Sequence, residues 1–259
     1  METSLLLWAF ITGTISALAT GLGAPLVVAL PLESSTVRSF TSALAAGMML
    51  SASVFSLAQE GIEMQDTVAW ATPKVIGGLL LGTLALWLLS TKFGGPEEEE
   101  DEDRPFDNLE LSSDSLLMFV ALLIHSSPEG IAIGVGFATG DMEFGILMAT
   151  AISIHNIPEG IAMSLPMHAE GESLLKCSLV SILTSVPQPL FAVPAALAFH
   201  YVQPWLPVGL GFAGGAMIYV VILELIPDAY EHGSYHLAAW GTMIGLTLML
   251  SLSVLLPGA

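Results

Sequence analysis

His125-Ser126-Ser127-Pro128-Glu129-Gly130-Ile131-Ala132 is followed, thirty residues later, by His155-Asn156-Ile157-Pro158-Glu159-Gly160-Ile161-Ala162. Each copy lies inside a long apolar run, 115–138 and 142–165. A histidine and a glutamate four residues apart share one face of a helix. The proline between them has no amide hydrogen to donate, and its ring clashes with the carbonyl four residues back, that of Ile124 or Ile154. Each copy therefore predicts a kinked helix with a His/Glu pair and a freed carbonyl at the bend. Two such helices face to face make a cage suited to a divalent metal ion.

The rest of the chain surrounds these helices with lipid-compatible sequence. Of 259 residues only 11% are charged, against about 25% in soluble domains, and the mean hydropathy is +0.77. Apolar runs of about 20 residues, the length needed to span a bilayer, occur at 4–28, 38–60, 73–92, 115–138, 142–165, 173–199, 205–227 and 235–257. The expectation is an all-α polytopic membrane protein of eight transmembrane helices, with helices 4 and 5 proline-kinked around a central metal site. Residues 1–259 read as one transmembrane domain. Its long connection, about 94–114, carries Gly94-Gly95-Pro96 and seven successive acidic residues, Glu97 to Asp103, a self-repelling run that predicts a disordered loop. The first segment lacks the basic flank and cleavage site of a signal peptide, so it is expected to be kept as a membrane helix.

The charge is lopsided, with 24 Asp and Glu against five Lys and Arg, a net −19. That excludes nucleic-acid binding, which needs a basic footprint. It fits acidic aqueous faces that attract cations, or a saline environment. Arg38, Lys92, Arg104 and Lys176 fall in or beside odd-numbered connections and only Lys74 in an even-numbered one. The positive-inside rule then puts the odd connections in the cytoplasm and both termini outside, and the cell (plasma) membrane is the expected location. One cysteine, Cys177, leaves no internal disulfide and no thiolate-only metal site.

Two carboxylates at helix centres cost roughly 5–7 kcal/mol if left facing lipid. They are expected to face inward and be paired, protonated or metal-bound, and a buried polar network that merely pins the helices is the bland alternative. Imidazole with carboxylate and no thiolate suits Zn²⁺ foremost, and also Fe²⁺, Mn²⁺, Co²⁺, Ni²⁺ or Cd²⁺, whereas Mg²⁺ and Ca²⁺ prefer oxygen alone. Four ligands are available from His125, Glu129, His155 and Glu159. No prosthetic group is expected, the metal being cargo. Glu60, Glu63 and Asp66 at one end of helix 2, and Glu224 and Asp228 with Glu231, His232 and His236 at the far end of helix 7, are candidate steps on an ion path, or simply wet helix ends. Glycine-rich packing faces in helices 1, 2 and 7 allow close helix contacts and a homodimer.

The chain resembles the ZIP (Zrt/Irt-like) metal transporters, and among them the GufA-like branch. The resemblance rests on the two His-x-x-Pro-Glu-Gly copies. Ala45-Ala46-Gly47-Met48-Met49-Leu50-Ser51-Ala52-Ser53, Gly214-Gly215-Ala216-Met217-Ile218-Tyr219 and Glu224-Leu225-Ile226-Pro227 support it. It implies a primary site at His125, Glu129, His155 and Glu159. It also implies an adjacent second site at the positions that here read Ser126, Asn156 and Gln188, where relatives carry an amide or carboxylate after each histidine and a glutamate in helix 6. Serine and neutral glutamine at these positions predict one well-occupied ion and a weak or merely tuning second site, with the Gln188 carbonyl as a residual ligand. The resemblance further implies that helices 1, 4, 5 and 6 move against helices 2, 3, 7 and 8. The rival reading, an intramembrane zinc metalloenzyme such as a hydrolase, needs three ligands, an open position and a poised base. A duplicated symmetric motif without His-Glu-x-x-His argues against it.

Overall fold

The computed structural model describes residues 2–29, 35–64, 68–93 and 113–255. Among them are eight helices long and apolar enough to cross a membrane: α1 (Ser4–Val27), α2 (Ser35–Glu63), α3 (Trp70–Thr91), α4 (Met118–Ala138), α5 (Met142–Ala169), α6 (Leu174–Tyr201), α7 (Gln203–Glu231) and α8 (Tyr235–Leu255). These match the eight apolar runs to within a few residues. No strand occurs among the described residues. The chain is an all-α integral membrane protein. Most of the acidic connection, and Asp66, lie outside the described residues. The helix that carries α4 begins at Ser113.

Burial sorts the helices. The most apolar windows of α2, α4, α5 and α7 are 65–72% buried, against 22% for α3 and α8. The four central helices enclose the site, and the others present apolar side chains outward. Trp70, Tyr201 and Trp205 are exposed at the face that carries the even-numbered connections, and Tyr230 and Tyr235 at the opposite one, the two levels at which amphipathic rings settle in a bilayer.

Small residues set which helices touch backbone to backbone. A Cβ on Gly160 of α5 would strike the Thr20 carbonyl of α1, and one on Gly130 of α4 would strike the Gln188 carbonyl of α6. Gly47 and Gly245 make the same approach between α2 and α8, as do Gly82 and Gly215 between α3 and α7. A Cβ on Gly13 of α1 would lie 3.0 Å from Pro189 Cα of α6, which joins the first two pairs into one group of α1, α4, α5 and α6, while α2 pairs with α8 and α3 with α7. Between the groups, side chains do the packing. Met48 and Ala52 of α2 meet Ala151 of α5 in one buried cluster, and Met49 and Met217 join residues of α4 in the largest one. Methionine is unbranched and polarizable, so such a seam tolerates displacement better than interlocked backbones do.

Four helices carry irregularities that the hydrophobic pattern does not reveal. α1 turns at Gly21 and Leu22, and α6 is interrupted at Ser185 and Val186 just ahead of Pro187. The two breaks meet: the hydroxyls of Thr20 and Ser185 are 2.7 Å apart, and Ser178 Oγ donates to the Gly21 carbonyl. α2 and α7 each contain a π-helical stretch, Ala52–Ala58 and Val221–Leu225, a feature frequent at functional sites. Pro128 and Pro158 sit inside α4 and α5, which continue through them although each proline removes one rung of the hydrogen-bond ladder.

Candidate metal centre

The two motif copies come together at the centre of the molecule. His125, Glu129 and His155 are fully buried and Glu159 is 2% exposed. The pairing is crosswise rather than along each helix. His125 Nε2 lies 3.1 Å from Glu159 Oε1 on α5 and 3.5 Å from Glu129 Oε1 on its own helix. His155 Nε2 lies 2.7 Å from Glu129 Oε1 on α4 and 3.6 Å from Glu159 Oε1 on its own helix. Each carboxylate oxygen is thus shared by both imidazoles. Ligand atoms of His125, Glu129 and Glu159 all fall within 4.8 Å of one another, and His155 closes the ring. Nδ1 of either histidine has no hydrogen-bond partner, so both rings are held through the nitrogen that faces the cage. Two carboxylates and two imidazoles brought together in the buried interior match the ligand preference of zinc and its neighbours.

Of the three flanking positions, two join the cage and one does not. Gln188 Nε2 donates to Glu129 Oε2 at 2.6 Å. Asn156 Nδ2 donates to Gln188 Oε1 at 3.2 Å and to the Ser16 carbonyl and hydroxyl at 2.9 and 3.1 Å. The Gln188 oxygen faces Asn156, and the amide hydrogens face Glu129. Ser126 is buried beside His125 and makes no hydrogen bond to the cage.

Met49 and Ser16 went unrecognised in the sequence. Met49 of α2 places Sδ 3.1 Å from His125 Nε2, so the group that does not carry the motif contributes a soft donor. Met49 lay within a stretch singled out for its resemblance, but a thioether in an apolar helix is indistinguishable from packing. Ser16 is one of several small polar residues of α1, and only tertiary structure brings it to Asn156.

The outlying acidic clusters divide. Asp228 is engaged by Arg38, whose Nε and guanidinium NH2 donate at 3.0 and 2.6 Å, and by Ser42 Oγ at 2.5 Å. This ties α2 to α7 and occupies the oxygens that an ion would need. Glu224 lies in the π-helical stretch of α7, within electrostatic range of His125 and Glu159. Glu60 interacts electrostatically with Glu63 and with Asp141, the N-cap of α5. His168 Nδ1 bonds the Glu172 carbonyl at 2.8 Å.

Comparison with known proteins places the chain among named relatives. The family described as ZIP Zinc transporter matches residues 90–253, which include both motif copies. The chain belongs to that family. Zinc transporter ZIPB of Bordetella bronchiseptica is 33% identical over 96% of this chain and 81% of its own. Zinc transporter GufA of Myxococcus xanthus is 35% identical over 71% of this chain and 72% of its own, in keeping with the GufA-like branch. A putative zinc transporter of Arabidopsis thaliana is 37% identical over 92% of this chain, which spans only 37% of that relative. Within the ZIP family, then, the cage occupies the two helices that carry the duplicated motif, and Gln188 stands where a carboxylate was expected.

Proposed function

We propose that this chain transports divalent transition-metal ions, zinc foremost, across the cell membrane towards the cytoplasm through the cage of His125, Glu129, His155 and Glu159. The observation that carries the proposal is the crosswise sharing of two buried carboxylate oxygens by two imidazoles on adjacent helices. That arrangement concentrates charge where a divalent ion compensates it. The relatives named above are transporters too.

In this reading both termini face outward and the odd connections face the cytoplasm. Glu60, Glu63 and Asp141 lie on the outer side and draw cations in. The ion displaces protons from the cage, because imidazole and carboxylate ligate only when deprotonated. Met49 and the Asn156 carbonyl, which has no donor of its own, add to the ligand set. The group of α1, α4, α5 and α6, tied internally by glycine contacts, then shifts against the methionine-lined seam and turns the cage inward towards Glu224. No nucleotide-binding fingerprint is present in the sequence, so flux follows a gradient or a coupled ion.

Residues 1–259 act as a single transmembrane domain. A homodimer belongs to the proposal as well. The test is radiometal uptake by proteoliposomes that contain only this protein, with competing ions. Flux without any other substrate supports transport, whereas binding without flux refutes it.

A further inference from the structure

Glu129 is the end point of a hydrogen-bond chain that visits every helix of the α1, α4, α5, α6 group. It runs from the Ser16 carbonyl and hydroxyl on α1 to the Asn156 amide on α5, then to the Gln188 carbonyl on α6, and from the Gln188 amide to Glu129 Oε2 on α4. All four side chains are fully buried. The direction of the chain is fixed at its origin. A backbone carbonyl only accepts, so Asn156 must present its NH2 to Ser16, and the same NH2 reaches the Gln188 oxygen. That leaves Gln188 no choice but to turn its own NH2 towards Glu129.

The consequence is chemical. Glu129 Oε1 is shared by the two histidines, while Oε2 carries a donated hydrogen bond at 2.6 Å. A second cation on the Oε2 side would have to displace that bond and would meet amide hydrogens, the positive end of the Gln188 dipole. We infer that Gln188, oriented by Asn156 and Ser16, is a positioning residue that fixes the site at one ion per chain by holding Glu129 Oε2 and closing that side of the carboxylate to a second cation. The inference rests on the reading of the cage as the metal site and assigns what sets its stoichiometry.

Zinc bound per chain is measured by equilibrium dialysis and elemental analysis on the purified full-length protein, with monodispersity checked for each variant. The wild type binds one zinc, and Gln188→Glu, which replaces the donor with a second carboxylate, binds two. Should Gln188→Glu fail to fold, Asn156→Asp carries the same expectation, because a carboxylate there reverses Gln188 and withdraws the donor from Glu129. Gln188→Met keeps the length and removes the amide. It stays at one zinc, held about 10- to 100-fold more weakly, the usual cost of losing a partner that orients a ligand. Two ions on the wild type, one ion on the carboxylate variants, or unchanged affinity in Gln188→Met would overturn the assignment while leaving the cage intact. No ion on the wild type would instead sink the reading of the cage itself.

Discussion

His155 Nε2 approaches Glu129 Oε1, on the neighbouring helix, to 2.7 Å, and Glu159 Oε1, one turn away on its own helix, only to 3.6 Å. The motif is therefore completed between α4 and α5 rather than within either, and neither copy is a site alone. Damage to one copy should disable both. Glu129→Ala and His155→Ala are each expected to lower zinc affinity by more than the 10- to 100-fold typical of an orienting partner. The double variant should be little worse than either single one, a non-additivity expected of residues that act as a unit. Isothermal titration of the three proteins measures it, and additive losses would mean two independent half-sites.

Acid should inhibit. Every donor in the cage binds metal only after losing its proton, so lowering the pH makes protons the competitor. Uptake is expected to decline as the pH falls and protons take over the cage. The rise should appear in the apparent KM for zinc before it appears in the maximal rate. An acid-stimulated rate would contradict proton displacement as the loading step.

Met49 stands 3.1 Å from His125 Nε2, and a thioether favours soft ions. Met49→Leu preserves volume and removes the sulfur. The expected outcome is a loss of cadmium competition against zinc uptake, with zinc uptake itself affected less. Equal losses for both ions would reduce Met49 to packing.

Arg38, Asp228 and Ser42 form a clamp between α2 and α7. Arg38 and Asp228 are 18% and 13% exposed, sheltered enough for the charged hydrogen bonds to count. Asp228→Asn should cost about 2 kcal/mol, the range for losing a hydrogen bond to a charged group, and lower the melting temperature by several degrees. Uptake per folded molecule should be nearly unchanged. Lost uptake at unchanged stability would return Asp228 to the path.

Close packing can be tested by adding one carbon. Gly160→Ala drives a Cβ into the Thr20 carbonyl, and overpacking of this kind costs about 1–3 kcal/mol. Gly77→Ala in α3 meets nothing within 4 Å and should be neutral or mildly stabilising, since alanine is the better helix former by up to about 1 kcal/mol. Thermal unfolding in detergent compares the two.

The span boundaries and the four cage residues were legible because they depend on local rules. A bilayer demands runs of fixed length, and His and Glu four apart must share a helix face. What stayed hidden depends on which helix lies beside which. The Gln188 side chain has two chemically opposite ends, and only Ser16, more than 170 residues away in sequence, decides which end faces Glu129. The pairing of Asp228 with Arg38 stayed hidden because the two are remote in the chain. The π-helical stretches of α2 and α7 left no mark in hydrophobic periodicity, being answers to packing rather than to composition.

The central claim is that ions pass through the crosswise cage. The most direct measurement is zinc-65 uptake by proteoliposomes that carry wild-type protein or Glu159→Ala at matched, correctly folded amounts. Glu159 is the nearest carboxylate to His125, and its removal opens the ring on the α5 side. The cage reading predicts uptake indistinguishable from empty vesicles for Glu159→Ala, and uptake at the wild-type rate would contradict it.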